Sequence, residues 1–238
     1  MGVLDKIQAL ASDGRRIVVP LIDPDRFNPA ILDSLVGRKR IPPAIFVGGS
    51  IVSADTDAVV RRIKSYVGDS SEVVLFPGDC SQLSSSADAL LLLSLVSGRN
   101  PEYLIGQHVK SAPKIRRLGL EAIPTAYMLI DGGRATSVQY VSGTMPLPAD
   151  KVDLSVATAM AAELLGFKML YLEAGSGARV PVSSDIISAV RSSVSIPIIV
   201  GGGVRSAEAV GRAFAAGADI VVIGTALEQN PALANEFW

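Results

Sequence analysis

The sequence of 238 residues contains a single cysteine, Cys80, and a single histidine, His108. These counts exclude a disulfide framework and a zinc-finger cluster. They also exclude a Ser/His/Asp triad that could draw on any of several histidines. Lysine and arginine together number 22 against 23 aspartates and glutamates, so no basic field is available to bind nucleic acid. We therefore expect no nucleic-acid partner, an inert Cys80 thiol, and a His108 that lies on a helix surface or in a helical lid.

Long hydrophobic runs are also lacking. The most apolar stretch, Ala89–Val96, contains Ser94 and is much shorter than the roughly 20 residues that a membrane-spanning helix needs. Residues Met1–Asp13 carry charged side chains and no apolar core of a signal peptide. We expect a cytoplasmic protein without a transmembrane segment, and peripheral contact with a membrane stays open.

Aromatic residues make up only 5% of the chain, whereas 49% is hydrophobic, so the apolar mass is aliphatic. Short apolar runs alternate with amphipathic helical stretches, which predicts parallel strands buried on both faces. The predicted strands are Arg16–Pro20, Ala44–Val47, Glu72–Phe76, Ala87–Leu95 (which by periodicity alone also fits a helix), Ala122–Ile130, Lys168–Leu172, Pro197–Val200 and Asp219–Ile223. This pattern predicts an α/β fold, a single (β/α)8 TIM-type barrel in one domain covering residues 1–238.

One stretch interrupts the alternation. Residues 131–150 show no helical period, and Val138–Val141 is predicted to form an extra strand there. Elsewhere the pattern predicts a helix over Asn100–Leu118, and Ser184 and Ser206 are predicted to cap two later helices. The barrel is therefore expected to depart from strict alternation after its fifth strand.

Several predicted strands end in glycine-rich turns, which a barrel brings together at one face. Catalytic groups of such barrels lie at the carboxyl ends of the strands, and phosphate often binds beside strands seven and eight. Gly201–Gly203 and Gly224 follow the last two strands, with Ser176 and Thr225 at equivalent ends. Glycine lets backbone amides approach a phosphate oxygen, so these turns predict an anion site, although Gly201–Gly203 could also form only a tight turn.

Three carboxylates stand at predicted strand ends. Asp23 and Asp25 follow the first strand, where Asp-Pro is common turn chemistry and a hard ligand for Mg²⁺ is the functional alternative. Glu173 ends an apolar strand, where a buried charge is costly unless it is paired or used in chemistry. Glu173 is therefore the stronger functional candidate.

Five motifs occur in order along the chain. They are LIDPD at Leu21–Asp25, VGGS at Val47–Ser50, YLEAGSGA at Tyr171–Ala178, PIIVGGGVRS at Pro197–Ser206 and DIVVIGT at Asp219–Thr225. With these motifs the sequence resembles the geranylgeranylglyceryl phosphate synthase family, which includes the related bacterial heptaprenylglyceryl phosphate synthases, and it looks more like the archaeal members. The resemblance implies a modified TIM barrel in which one outer helix is missing or replaced by extended chain. It also implies a prenyltransferase that joins sn-glycerol 1-phosphate to geranylgeranyl diphosphate, releasing diphosphate, in archaeal membrane ether-lipid biosynthesis.

The resemblance also implies roles for individual residues. Asp23 and Ser50 match magnesium-binding positions, which makes Mg²⁺ the expected cofactor. Glu173, with Tyr171, is implied to be catalytic and to help take the proton from the attacking hydroxyl. Arg26 stands where lysine is more usual in the family, which preserves the charge and changes its donor geometry. The implied glycerol phosphate site comprises Tyr171, Leu172, Glu173, Ala174, Gly175, Ser176, Gly177, Gly201, Gly202, Gly224 and Thr225.

Other functions stay open from the residues alone. One is an isomerase or lyase of amino-acid biosynthesis on a phosphate-binding barrel, which would need neither Mg²⁺ nor a prenyl donor. Another is a non-catalytic barrel that binds glycerol phosphate or a lipid, and flavin binding is a weaker option. The aliphatic composition suits a dry groove for a prenyl chain, although the core needs the same residues. Because an exposed aliphatic helix face favours self-association, we expect a homo-oligomer.

Overall fold

The computed structural model describes residues 1–36 and 41–238. Within these ranges eight parallel strands form a closed barrel in the order of the chain, with the last strand hydrogen-bonded to the first. The strands are β1 Ile17–Ile22, β2 Ala44–Val47, β3 Glu72–Leu75, β4 Ala89–Leu95, β5 Glu121–Leu129, β6 Met169–Glu173, β7 Ile198–Gly201 and β8 Ile220–Ile223. The predicted TIM-type barrel is confirmed, and the ambiguous segment Ala87–Leu95 contains a strand.

The strands are buried on both faces because each side of the sheet packs on its own apolar layer. Val19, Phe46 and Tyr171 belong to the layer inside the barrel. Leu170 and Leu172, which flank Tyr171 on β6, belong to the layer between strands and helices. Strand β6 therefore sends alternate side chains to opposite layers, as the pleat of a strand requires.

Helices cover the outside and one end of the barrel. They are α1 Val3–Ser12, α2 Pro29–Val36, α3 Thr56–Val67, α4 Gln107–Leu118, α5 Ser137–Ser142, α6 Val152–Leu164, α7 Ser184–Arg191, α8 Ala207–Ala215, α9 Thr225–Gln229 and α10 Ala234–Phe237. The amino-terminal end of the barrel is covered by α1, whose Val3 and Leu4 amides donate to the Glu121 carboxylate at 2.6 and 2.9 Å. None of the helices in the described ranges is long and apolar enough to cross a membrane.

Of the two predicted serine caps, one is confirmed and one is wrong by one residue. Ser206 caps α8, because its hydroxyl accepts a hydrogen bond from the amide of Ala209 at 3.2 Å. The cap of α7 is Ser183 rather than Ser184, since the Ser183 hydroxyl accepts from the amide of Ile186 at 3.3 Å. Both serines fit the sequence pattern of a helix cap. They differ in the structure, because Ser183 has the extended backbone of a cap residue and Ser184 is the first residue of the helix.

The connection without an outer helix lies between β3 and β4, in residues 76–88, all of which the structure describes. The irregular stretch 131–150 instead contains α5, so the predicted extra strand Val138–Val141 is wrong. The helix begins at a cap in which Thr136 accepts from the amide of Gln139 at 3.4 Å, and it ends at Gly143 in the left-handed conformation. The four residues Val138–Val141 are of mixed polarity and fit one turn of helix as well as a short strand. The capping contacts at both ends therefore determine that this segment is helical.

Candidate active site

A polar cavity opens at the carboxyl ends of the strands. It collects residues from both ends of the chain, because the closed barrel places β1 beside β8. The predicted site residues that line it are Asp23, Ser50, Tyr171, Glu173, Ser176, Gly177, Gly202, Gly224 and Thr225. The strand-end positions singled out in the sequence therefore meet in one place.

The turns after β6, β7 and β8 form one wall of this cavity. The hydroxyl oxygens of Ser176 and Thr225 lie 3.1 Å apart and join the first of these turns to the last. Gly202, in the middle turn, has a φ of 81°, and a Cβ at this position would lie 2.2 Å from Glu173 Oε1. Backbone conformation and space therefore both require glycine at residue 202. Turns of this kind present backbone amides to anions.

Glu173 is a buried carboxyl group at the end of β6, with 6% of its surface exposed. Its Oε1 atom accepts a hydrogen bond from the amide of Gly175 at 2.6 Å. Burial raises the pKa of Glu173 to about 7, although the Gly175 amide favours the charged form. A carboxyl group that titrates near neutral pH is able to accept a proton during a reaction.

The Tyr171 hydroxyl is buried and unpartnered among the described residues. It lies near the Glu173 carboxylate and lowers its pKa, yet the two groups do not meet the geometry of a hydrogen bond. The Tyr171 ring is held by Phe76 and Tyr127, whose ring centroids lie 5.1 and 5.4 Å from its own. A fixed polar group without a partner is best satisfied by a ligand or a water molecule in the cavity.

Some residues implied for the glycerol phosphate site do not present a side chain to the cavity. Leu172 and Ala174 pack in the layer between strands and helices, so only their backbone is available to a ligand. The Gly175 amide is already bound by the neighbouring carboxylate. A Cβ at Gly201 would lie 2.4 Å from the Tyr171 hydroxyl, so this glycine makes room for the tyrosine.

The two aspartates after β1 have different surroundings. Asp25 accepts hydrogen bonds from the amides of Ser53 (2.9 and 3.0 Å) and Ala54 (2.7 Å), so it anchors the loop after β2. Among the described residues the Asp23 carboxylate accepts only from the amide of Asp25, at 3.0 Å, and burial raises the pKa of Asp23 above its usual value. Asp23 therefore keeps one carboxylate oxygen available to a ligand.

The fit of these residues to Mg²⁺ rests on their oxygen atoms. Asp23 and Ser50 line the same cavity, and Gly49 packs so closely that a Cβ there would lie 3.2 Å from the Asp23 oxygens. Across residues 1–36 and 41–238, no three His, Cys, Asp or Glu side chains are grouped as metal ligands. One carboxylate and one hydroxyl suit Mg²⁺ that completes its coordination with water and substrate phosphate. The residues present therefore fit a metal that is held jointly with a phosphate substrate.

An apolar groove adjoins the polar cavity, at the seam between β3 and β4. These strands pair at two positions, as do β1 with β2 and β7 with β8, whereas β4 and β5 pair at seven. Apolar residues of β4, of the helix-free connection before it and of α5 line the groove, among them Leu83, Leu91, Leu93 and Val141. The groove and the polar cavity share the wall residues Gly49, Ser50, Phe76, Tyr127 and Val138, so the two are adjacent.

The groove wall also contains His108 and Cys80. His108 Nε2 lies 2.8 Å from the carbonyl oxygen of Leu93, and the ring is partly buried. The predicted surface or lid position of His108 is therefore corrected to one in which the ring packs in the groove wall and binds a strand carbonyl group. The Cys80 amide donates to Gln107 Oε1 at 2.9 Å, and the inertness of its thiol stays a prediction.

Several residues of the polar cavity are absent from the predicted set, among them Tyr127, Arg205 and Glu228. Arg205 donates to the carbonyl oxygen of Ala178 at 2.7 Å, and Glu228 forms an ion pair with Arg26. The arginine lies inside the motif PIIVGGGVRS, so the sequence offered a signal for it. The glutamate lies in α9 without any motif, and only the closure of the barrel brings it to the site.

A TIM-type barrel with a polar cavity at the carboxyl ends of its strands has the site arrangement of a barrel enzyme. The model of the PcrB family matches residues 13–237, and the chain belongs to this family. Geranylgeranylglyceryl phosphate synthase from Spirosoma linguale is 49% identical over 223 residues, covering 92% of this chain and 89% of the relative. The synthase from Korarchaeum cryptofilum is 40% identical over 211 residues, covering 85% of this chain and 86% of the relative. The predicted resemblance to this synthase family is confirmed.

Solved structures agree with both the fold and the family. The (S)-3-O-geranylgeranylglyceryl phosphate synthase of Thermoplasma acidophilum, in complex with its substrate sn-glycerol-1-phosphate, matches with a TM-score of 0.90 and 31% identity, covering 99% of this chain and 95% of that one. The predicted archaeal origin is not supported, because the bacterial relative from Spirosoma linguale shares more identical residues with this chain than the archaeal one from Korarchaeum cryptofilum.

Proposed function

We propose that this chain is a prenyltransferase that joins sn-glycerol 1-phosphate to geranylgeranyl diphosphate, giving geranylgeranylglyceryl phosphate and diphosphate. One observation carries the proposal: a polar cavity with a buried carboxyl group adjoins an apolar groove and shares wall residues with it. A glycerol phosphate requires the first environment and a long prenyl chain requires the second. The similarity of the chain to the synthases of Spirosoma linguale and Korarchaeum cryptofilum supports the same activity.

In this proposal the turns after β6, β7 and β8 bind the phosphate of sn-glycerol 1-phosphate. Backbone amides and the hydroxyls of Ser176 and Thr225 serve as donors, and the Tyr171 hydroxyl donates to an oxygen of the glycerol part. Leu172 and Ala174 contribute only backbone. The full proposed set is Tyr171, Leu172, Glu173, Ala174, Gly175, Ser176, Gly177, Gly201, Gly202, Gly224 and Thr225.

Glu173 is the proposed general base. A glycerol hydroxyl attacks C1 of the prenyl chain, and the new C–O bond forms as the bond from C1 to the diphosphate oxygen breaks. The proton of the hydroxyl passes to the Glu173 carboxylate, and the electron pair of the broken bond leaves with the diphosphate. Because the pKa of Glu173 is about 7, a substantial fraction of the group is ionised and ready at neutral pH.

Asp23 and Ser50 are the proposed protein ligands of Mg²⁺. Ser50 lines both the polar cavity and the groove, so it stands where the diphosphate must lie if the prenyl chain occupies the groove. When bound, Mg²⁺ neutralises negative charge that develops on the leaving diphosphate. The aliphatic groove excludes water from the reacting carbon, which matters because hydrolysis of the allylic diphosphate competes with transfer.

The proposal is tested by incubating the protein with sn-glycerol 1-phosphate, Mg²⁺ and prenyl diphosphates of several lengths, and detecting the ether product by mass spectrometry. We expect product with geranylgeranyl diphosphate and a loss of product when Mg²⁺ is omitted. No product at any chain length would reject the proposal. Turnover of a sugar phosphate without a prenyl donor would favour the isomerase or lyase, and binding without turnover would favour the non-catalytic barrel.

We also propose that the protein acts in the cytoplasm as a homo-oligomer, with α6 at the contact between copies. Leu154 and Leu164 lie on this helix, and Leu165 directly follows it. Their side chains are 45%, 87% and 77% exposed, respectively. Exposed leucines clustered on one element favour contact with another apolar surface.

A further inference from the structure

An ion pair crosses the rim of the polar cavity where the first and last strands meet. Arg26 Nη1 lies 3.2 Å from Glu228 Oε2, which joins the turn after β1 to α9 after β8. The Arg26 side chain is 61% exposed, whereas that of Glu228 is 13% exposed. The pair therefore combines a carboxylate fixed in the wall with a cation on a side chain that can move.

Arg26 stands beside the proposed metal ligand. Its amide donates to the carbonyl oxygen of Asp23 at 3.0 Å, and both side chains line the same cavity. Among the described residues, the guanidinium group makes this single hydrogen bond with Glu228, although it carries five N–H donors. Most of its donor capacity is therefore available to a ligand in the cavity.

The second arginine of the cavity lies beside the turns after β6 and β7. Arg205 donates to the carbonyl oxygen of Ala178, in the turn after β6, which belongs to the proposed glycerol phosphate side. Arg26 is on the Asp23 side, where the diphosphate of the prenyl donor is proposed to lie. The two cations are thus distributed between the two phosphate-bearing substrates.

From this arrangement we infer that Arg26 binds the diphosphate of the prenyl donor and exchanges Glu228 for it. In the ligand-free protein Glu228 holds the guanidinium group at the rim. When the diphosphate enters, the guanidinium group turns to its oxygens, because arginine matches phosphate in a bidentate geometry that a single contact with Glu228 does not use. Glu228 therefore competes with the diphosphate for Arg26 and acts as a positioning residue. The inference rests on the proposed function, which supplies the diphosphate.

A partly exposed ion pair is easily broken, so the exchange does not require a large rearrangement. It does require that Glu228 tolerate the loss of its cation. Bringing Mg²⁺ to Asp23 provides a positive charge on the same side of the cavity, which offsets that loss. The inference therefore concerns binding of the magnesium diphosphate rather than of diphosphate alone.

The test uses Arg26→Gln, Glu228→Gln and the control Arg212→Gln, which breaks an exposed ion pair with Glu208 on α8. Binding of inorganic diphosphate in the presence of MgCl2 is measured by calorimetry, and KM is measured for each substrate. For Arg26→Gln we expect diphosphate binding to weaken about tenfold, the value of one charge-assisted hydrogen bond. KM should rise for the prenyl diphosphate and stay unchanged for sn-glycerol 1-phosphate.

Glu228→Gln distinguishes two roles of Glu228. Either it competes with the diphosphate for Arg26, or it holds Arg26 in place to bind the diphosphate. If Glu228 competes for Arg26, its replacement should tighten diphosphate binding, whereas a structural contact would weaken it. Wild-type affinity in Arg26→Gln, or weakened binding in Glu228→Gln, overturns the exchange. Melting temperatures of all three variants establish that they are folded. Because the calorimetry needs no turnover, a failure of the exchange is distinguishable from a failure of the proposed synthase activity.

Discussion

Tyr171 and Glu173 stand two residues apart on β6, line the same cavity and differ in how their polar atoms are satisfied. The Glu173 carboxylate accepts the amide of Gly175, whereas the Tyr171 hydroxyl has no hydrogen-bond partner in the described parts of the chain. Both groups are deeply buried. Glu173 therefore contributes to the site a proton acceptor with a raised pKa, and Tyr171 contributes a hydrogen-bond donor without a partner.

The unused donor leads to a prediction for Tyr171→Phe. Because an unsatisfied buried polar group costs about 1–3 kcal/mol, its removal should leave the free energy of unfolding unchanged or raise it. KM for sn-glycerol 1-phosphate should rise by about threefold to tenfold, the value of one hydrogen bond. Urea unfolding and steady-state kinetics measure the two effects, with Tyr140→Phe, at a tyrosine that is 88% exposed, as the control. A clear loss of stability would show that the hydroxyl is already bonded in the free protein.

The raised pKa of Glu173 predicts a dependence of stability on pH. The usual pKa of a glutamate is 4.5 and the folded value is about 7, so between these limits the folded protein holds a proton that the unfolded chain has lost. The free energy of unfolding should therefore fall as pH rises from 4.5 through 7, by about 3 kcal/mol in total from this group. The free energy of unfolding is measured by chemical unfolding between pH 4 and pH 8, at steps of about half a pH unit. The decrease with pH should appear in the wild type and not in Glu173→Gln.

The same group predicts the pH dependence of the reaction. Since the proposed base works when ionised, kcat/KM should rise with pH and level off above an apparent pKa near that of the free Glu173, about 7. Glu173→Gln should lose most of kcat while glycerol phosphate still binds. A Gln variant that retains wild-type kcat would remove Glu173 from the chemistry.

Sequence patterns located the barrel and most of its site because both depend on local signals. Buried parallel strands are apolar throughout, and glycines such as Gly202 are required wherever the backbone turns against a carboxylate. Arg26 and Glu228 lie 202 residues apart, so no local signal connects them. The groove is lined by β4, the connection before it and α5, and a sequence records which elements exist more clearly than which of their side chains meet.

Asp23 and Asp25 provide a matched pair of substitutions. Asp23→Asn keeps an oxygen that can accept the Asp25 amide, so the fold should persist while Mg²⁺-dependent turnover falls by about 100-fold or more, as expected when a metal loses a charged ligand. Asp25→Asn should instead lower stability by about 1 kcal/mol through its weakened bonds to Ser53 and Ala54, with Mg²⁺ dependence retained. Activity titrated with MgCl2 and melting temperature distinguish the two. Equal Mg²⁺ requirements in Asp23→Asn and the wild type would rule out the metal assignment.

Gly202 and Gly211 form a second matched pair. An alanine at 202 would have φ of 81° and a Cβ 2.2 Å from the Glu173 carboxylate, so Gly202→Ala should abolish glycerol phosphate binding and lower the free energy of unfolding. Gly211 lies in α8, where an added Cβ would have open space within 4 Å, so Gly211→Ala should raise stability by about 0.5–1 kcal/mol. Calorimetric binding of sn-glycerol 1-phosphate and urea unfolding provide the readouts. Retained binding in Gly202→Ala would contradict the placement of the phosphate at this turn.

The exposed leucines at the end of α6 predict the response of the oligomer to charge. Leu164→Glu together with Leu165→Glu places two carboxylates on the proposed contact, where burial in an interface would leave them without partners, so the complex should dissociate into folded monomers. Val109→Glu introduces the same kind of charge at an apolar residue on α4 that is 67% exposed, and it should leave the mass of the complex unchanged. Sedimentation velocity measures the mass, and circular dichroism establishes that each variant is folded. A monomeric wild type, or dissociation by the α4 substitution alone, would contradict a contact through α6.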